Sequence, residues 1–276
     1  MKKKKLLVLV LFYIFIIVLC VLWLFPLLFI VLTAFKTPAE FFSRSMLSLP
    51  ETLRVDNFVK AWKDADLGQY IKNGAIVSFF KVPLGILIES LAAFAMTRLG
   101  LRHKNGIFMF FLLGMMIPMQ VALVGLNVAF TRTGLTNTYF GLFYVYIGFG
   151  IPFGILVLRG FFRTIPAEID EAARIDGCGN LKLYGNIMLP IIKPAVATLF
   201  ILDFLSTWNE FLLASVLITD NKKRTVAAGL LGFFGEFNTD YSLLCAGVLI
   251  SIIPVLVVYI FFQRYFVEGL AGAVKG

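Results

Sequence analysis

Histidine occurs once in the 276 residues, as His103, and cysteine only three times, and these shortages remove most enzyme and metal chemistry at the outset. His103 stands beside Lys104 and offers neither a catalytic nor a metal-ligating constellation. Cys20, Cys178 and Cys245 show no CxxC spacing and no pairing framework, so they read as small apolar side chains. A G-x-x-x-x-G-K-[ST] phosphate loop is missing as well, so the chain shows no ATP-binding or catalytic motif and is not expected to hydrolyse ATP itself. Charge is scarce: Asp, Glu, Lys and Arg together make up 15% of the residues, too few to coat a soluble globule. The net charge of +9 is scattered over short loops and helix ends, without the basic face and interleaved aromatics that track a phosphate backbone. Nucleic acid is therefore not an expected partner, and the basic residues read as membrane-surface anchors. Internal repeats and low-complexity tracts are also lacking.

What is present in quantity is apolar: 60% of the residues, with a mean hydropathy of +0.91. Lipid is the solvent such a chain requires. A spanning helix needs roughly 20 mostly apolar residues to cross about 30 Å of hydrocarbon. Six runs meet that length: residues 6–35, 74–97, 106–130, 139–158, 191–217 and 241–262. Strands of a membrane barrel would show short alternating segments instead. The expected fold class is an all-α integral membrane protein with six transmembrane helices.

The first run follows Lys2, Lys3, Lys4 and Lys5, and its 30 or so residues far exceed the 7–15 of a signal core. It is read as a span, with the lysines holding the N-terminus in the cytoplasm by the positive-inside bias. Six spans then place both termini there. Arg98, Arg102, Lys104, Arg159, Arg163, Arg174 and Lys182 fall on inner segments under this topology, although outer segments also carry charge, including Lys36, Lys60, Lys72, Lys222 and Lys223.

Three stretches organise the chain. Residues 1–70 are read as the first helix with its outer loop, residues 71–263 as a five-helix membrane domain, and residues 264–276 as a cytoplasmic tail. Turns are expected at Gly100, at Gly134-Leu135-Thr136-Asn137 and at Asn221.

A polar stretch at 160–190 interrupts the apolar runs and is too long for a tight turn. Thr164 is expected to cap a short amphipathic helix with Pro166 in its first turn, Asp170 and Glu171 to pair with Arg174, and Gly177 to end it. Ala172 and Ala173 leave room for another backbone or a bulky side chain. Helices that merely rest on a membrane carry Lys and Arg on the polar face, whereas this one is acidic, which suits docking to a basic partner.

The run Glu171-Ala172-Ala173-Arg174-Ile175-Asp176-Gly177, followed by Ile187, Leu189 and Pro190, matches E-A-A-x(3)-G-x(9)-I-x-L-P at every fixed position. In these residues the chain resembles the permease subunits of binding-protein-dependent ABC importers. Trp208-Asn209-Glu210-Phe211 and the tail from Gln263 to Gly276 narrow the likeness to the carbohydrate-uptake, maltose-type group, although the tail is one residue shorter after Leu270 than the group's usual form. The resemblance implies a type I importer fold and a subunit that forms half of a pathway for a sugar or oligosaccharide. It also implies a second homologous permease, two cytoplasmic ATPases that carry ATP and Mg, an extracytoplasmic sugar-binding protein and a bacterial cytoplasmic membrane. Glu171, Ala172, Ala173, Asp176 and Gly177 would couple to the ATPases, supported by Leu189 and Pro190.

Polar residues inside spans face a bundle interior or a water-filled cavity. Asp203, Ser206, Thr207 and Glu210 follow i, i+3, i+4, i+7 spacing, with Asn209 at their border and Trp208 able to stack on a sugar ring. These are candidate pathway residues, and the alternative is that Asp203 and Glu210 pair with Lys81 or an arginine to fix helix packing. Lys81 and Glu89 pose the same question, eight residues being a poor separation for pairing with each other. Gln120 and Asn127 share a face, either for the pathway or for interhelical hydrogen bonds. Other functions weighed against the sugar permease are a permease for a polar solute such as glycerol 3-phosphate, an ion-driven secondary transporter, for which a repeat is wanting, and a membrane enzyme.

Overall fold

Helices account for the regular structure, with no strand among the described residues. The computed structural model describes residues 2–234 and 239–274, with side chains over 5–234 and 239–264. Most of the tail motif lies outside those side chains. The long elements are α1 (Lys2–Ala34), α4 (Leu67–Arg98), α7 (Tyr139–Thr164) and α13 (Tyr241–Val274). Between them come α2 (Pro38–Ser43), α3 (Asp56–Lys63), α5 (Lys104–Met115), α6 (Met119–Thr133), α8 (Ala167–Ile175), α9 (Asn180–Ile191), α10 (Lys193–Trp208), α11 (Leu212–Leu217) and α12 (Val226–Gly229).

Among the described residues, four single helices are long and apolar enough to cross a membrane, and two bent pairs bring that to as many as six. The third and fifth apolar runs are thus not the straight helices the hydropathy suggests. The third is broken between α5 and α6, which meet at 91°. A proline disfavours the helical region for the residue before it, and Pro118 itself lies extended, at φ −62° and ψ 130°. The fifth run, 191–217, starts at a bend and is broken once within its length. α9 and α10 are bent by 77° between Pro190 and Pro194, and α10 ends at Trp208 before α11 begins. Within α9 the stretch Leu183–Met188 is wound as a π-helix.

The chain forms two compact units. One comprises residues 1–68 and 230–253. In it residues 5–28 of α1 are all exposed, as expected of a helix whose solvent is lipid. The polar segment after α1 is ordered by its own hydrogen bonds. The Asn57 amide donates to the carbonyls of Ala34 and Lys36, both at 2.9 Å, and the buried Lys36 ammonium donates to Ser45 O, Met46 O and Ser48 Oγ. Thr37 and Glu40 close a capping box on α2, and Phe41 stacks on Tyr241 at 4.8 Å.

The other unit comprises residues 69–229 and 254–276. Its core gathers Val77, Phe130, Leu142, Val145, Leu213 and Leu217 from α4, α6, α7 and α11. The expected turn after α6 is present, with Gly134 at φ +71° and Asn137 at φ +58°. Asn137 Oδ1 accepts from the amides of Thr219 and Asp220, both at 2.8 Å, which ties that turn to the loop after α11. Gly100 also takes a positive φ, +65°. α13 continues without a break past residue 262, so the segment read as a tail begins as helix.

Candidate coupling loop and polar cavity

The loop between α7 and α10 carries the polar motif. α8 spans nine residues and projects acidic and apolar side chains outward: Glu171, Ala172 and Asp176 are exposed, and Ile175 is 86% exposed. Leu181, just beyond the turn, is 82% exposed. Gly177 ends α8 at φ +76°, a conformation other residues adopt only with strain, while the amide of Cys178 closes on Ala173 O at 2.9 Å. Of the two motif alanines only Ala172 faces out, because Ala173 is 5% exposed. Leu189 is half-buried and Pro190 exposed at the end of α9.

Two expected local interactions are replaced by others. Thr164 does not cap α8; it ends α7, its hydroxyl donating to Phe161 O at 2.8 Å, and Pro166 occupies the cap position. Arg174 turns to Asn180 Oδ1 at 3.3 Å instead of pairing with Asp170 or Glu171. Asp170 is taken by Arg98, from the end of α4, at 2.8 Å. Arg98 sits at the end of an apolar run, where a lone cation reads as a membrane anchor, and no local spacing reveals a partner so distant in the chain.

The second feature is a cavity of about 360 Å³ among α4, α7, α10 and α11. Asp203, Ser206, Thr207 and Glu210 all line it, together with Lys81 and Glu89. The helical spacing that grouped the first four does not hold to its end, because the helix stops at Trp208. Glu210 instead starts the next helix, its carboxylate accepting from the amides of Leu213 and Ala214 at 2.8 and 2.9 Å. It also accepts from the hydroxyl of Tyr146 at 2.6 Å, a partner the sequence gives no sign of.

Lys81 and Asp203 form a salt bridge with side chains 3% and 10% exposed, so the residues that pair across the helices also border the cavity. Asp203 Oδ2 and Glu89 Oε2 are buried with no hydrogen-bond partner among the described residues. Glycines make room for this charged group. A Cβ at Gly150 of α7 would come within 3.3 Å of Lys81 Nζ and 3.4 Å of Glu89 Oε1, and a Cβ at Gly154 would run into the Glu89 carboxyl group.

The remaining candidates lie elsewhere. Trp208 is 4% exposed and stacks on Phe204, with ring centroids 5.6 Å apart, so in this conformation it offers no platform to a sugar. Asn209 is exposed but does not line the cavity. Gln120 and Asn127 are exposed on α6, about a quarter-turn round the helix from Met119, Leu123, Leu126 and Phe130, which pack on the core.

Membrane-length helices around a cavity lined with ionisable groups define an integral membrane protein with a polar interior, the class that contains the solute-transport proteins. The chain belongs to the family described as binding-protein-dependent transport system inner membrane component, whose model matches residues 81–271. Its members are ABC transporter permease subunits, which are not catalytic. The chain is 35% identical to the probable starch degradation products transport system permease protein AmyC of Thermoanaerobacterium thermosulfurigenes, over 94% of both chains. It is 34% identical to the diacetylchitobiose uptake system permease protein NgcG of Streptomyces coelicolor, over 91% of this chain and 82% of that one. The fold is that of a chain in a bacterial ABC transporter that imports the acidic polysaccharide alginate, with a TM-score of 0.84, 22% identity, and coverage of 95% of this chain and 98% of that one.

Proposed function

We propose that this chain is one permease subunit of an ATP-driven importer that carries a sugar or oligosaccharide into the cytoplasm of a bacterium. The observation that carries the reading is full-length similarity, at a third or more identity, to permeases named for uptake of starch degradation products and of diacetylchitobiose. Each bent helix pair is taken as one span, which gives six spans and cytoplasmic termini in a type I importer fold. The domain is paired with a second, homologous permease. Two ATPase subunits hold ATP and Mg, and a binding protein delivers the sugar from outside. The cell membrane of the bacterium is the compartment.

In this arrangement α8 seats on an ATPase. Its exposed Glu171 and Asp176 supply charge for a basic groove, Ala172 allows close approach, and Gly177 lets the chain reverse so that Ile175 and Leu181 stand as apolar contacts on either side. Ala173, turned inward, holds α8 to its own subunit, and Leu189 and Pro190 fix the far end of the loop. Asp203, Ser206, Thr207 and Glu210 line the pathway within this subunit. Asn209, Gln120 and Asn127 reach it at the face shared with the second permease.

The test is ATPase activity of the reconstituted transporter, with and without sugar-loaded binding protein, in wild type, Glu171→Lys and Gly177→Asp. Both substitutions are expected to abolish stimulation, either with the complex intact or with loss of the ATPase alone. Unchanged stimulation in both would sink the coupling role of the motif.

A further inference from the structure

We propose that Arg98 is a positioning residue for coupling, a clasp that makes α8 and the end of α4 move as one body. The inference rests on the permease reading and extends it to a residue outside the motif. The Arg98 guanidinium bridges two elements of the loop at once. Nη1 donates to Asp170 Oδ2 on α8 at 2.8 Å, and Nη2 donates to Ile165 O at 2.7 Å and to Phe162 O at the end of α7. The side chains of Arg98 and Asp170 are 8% and 14% exposed. A planar fork of donors suits this task, because it fixes direction as well as distance, which an ammonium does not.

Arg98 does not act alone on α4. Ser90, Phe94 and Arg98 recur at four-residue intervals and so form one stripe along the helix. Ser90 Oγ shares a hydrogen bond of 2.6 Å with the Tyr184 hydroxyl, in the π-wound part of α9. Phe94 packs against the rings of Phe162 and Tyr184, with centroids 5.9 and 5.4 Å away. The stripe therefore grips the loop at α7, at α8 and at α9. At its other end is Glu89, which lines the cavity and lies about 14 Å along the helix from Arg98. No proline or glycine interrupts that stretch, so it is a stiff lever. A displacement imposed on α8 is delivered to the cavity wall through α4, in addition to the covalent route through α9 and α10.

The experiment uses the complete transporter in lipid nanodiscs, with both permeases, the ATPases and sugar-loaded binding protein. Arg98→Gln is expected to lower the ratio of stimulated to basal ATPase activity by about tenfold, within the range of ordinary coupling free energies, while the ATPases still copurify. Arg98→Lys retains the charge without the fork and is expected to fall between. A second variant, Arg98→Cys with Asp170→Cys in a background lacking Cys20, Cys178 and Cys245, is assayed before and after bridging with a bifunctional thiol reagent. Bridging is expected to restore stimulation in the same assembled sample, which a general folding defect would not permit. Wild-type stimulation in Arg98→Gln, no recovery on bridging, or loss of assembly in every variant would each overturn the proposal. Failure of the permease reading shows itself separately, as a wild-type complex that loaded binding protein does not stimulate.

Discussion

A lysine buried within helices of membrane length is tolerated only with a partner, and Lys81 has one in Asp203. Removing one member strands the other, at a cost of about 3–5 kcal/mol, whereas an apolar replacement of both is often neutral or stabilising. Lys81→Met and Asp203→Leu are each expected to lower the thermal midpoint of the detergent-solubilised protein strongly, and the double variant to recover most of the loss. If the double variant is as unstable as the singles, the pair is not what holds α4 to α10. The sequence left Asp203 with two readings, pathway lining and helix packing; in the structure it pairs with Lys81 and borders the cavity. The sequence could not supply Glu89's neighbourhood, because the room for that carboxyl comes from Gly154 on another helix. Tyr146 and Arg98 were hidden for the same reason: each acts on a residue far along the chain, and local spacing carries no trace of such a pairing.

At the scale of elements, hydropathy located the apolar runs well and misjudged the straightness of the third and fifth, since a window average counts Pro118 as an ordinary residue and does not register the break after Trp208. Proline acts on the backbone, by removing a donor and crowding the preceding residue, and that is where the bends fall. The acidic loop helix was legible from its apolar and charged pattern together with Gly177, but its cap was misplaced by a few residues, the usual uncertainty of a helix boundary. α2 gives a prediction of its own. The Glu40 carboxylate accepts from the amides of Thr37 at 2.7 Å and Glu51 at 2.8 Å, and these backbone bonds hold its pKa below the ordinary carboxylate value. A depressed folded-state pKa stabilises α2 above the unfolded value, about 4.3, and that stabilisation disappears as pH falls through the folded value. Amide exchange at Thr37 and Glu51, corrected for intrinsic rates, is expected to accelerate in acid, and Glu40→Gln to remove the pH dependence. Equal acid sensitivity in wild type and Glu40→Gln would show that another group controls the segment.

For the whole molecule, the polar loops divide by the number of spans between them. Treating each bent pair as one span separates the loop of Cys178 from the loop of Lys222 by a single crossing, made by the bent pair of α9 and α10. With the six spans and cytoplasmic termini proposed above, Cys178 would lie in the cytoplasm beside Arg174 and Lys182, and Lys222 outside, even though the latter loop also carries Lys223 and Arg224. Charge alone is thus a weak guide here, and the ATPase-docking role proposed for α8 is the stronger argument, since ATP is a cytoplasmic resource. Cys178 is half-buried and close to the exposed Asp176, while Lys222 is exposed in a short 3₁₀ turn. In a chain with Cys20 and Cys245 replaced by alanine, a membrane-impermeant maleimide applied to intact cells stripped of any outer barrier is expected to leave Cys178 unmodified until the membrane is opened. With Cys178 also replaced, Lys222→Cys is expected to react at once. The reverse pattern would invert the topology and remove α8 from reach of the ATPases, and labelling of both from outside would mean that the bent pair of α9 and α10 re-enters the membrane without crossing it.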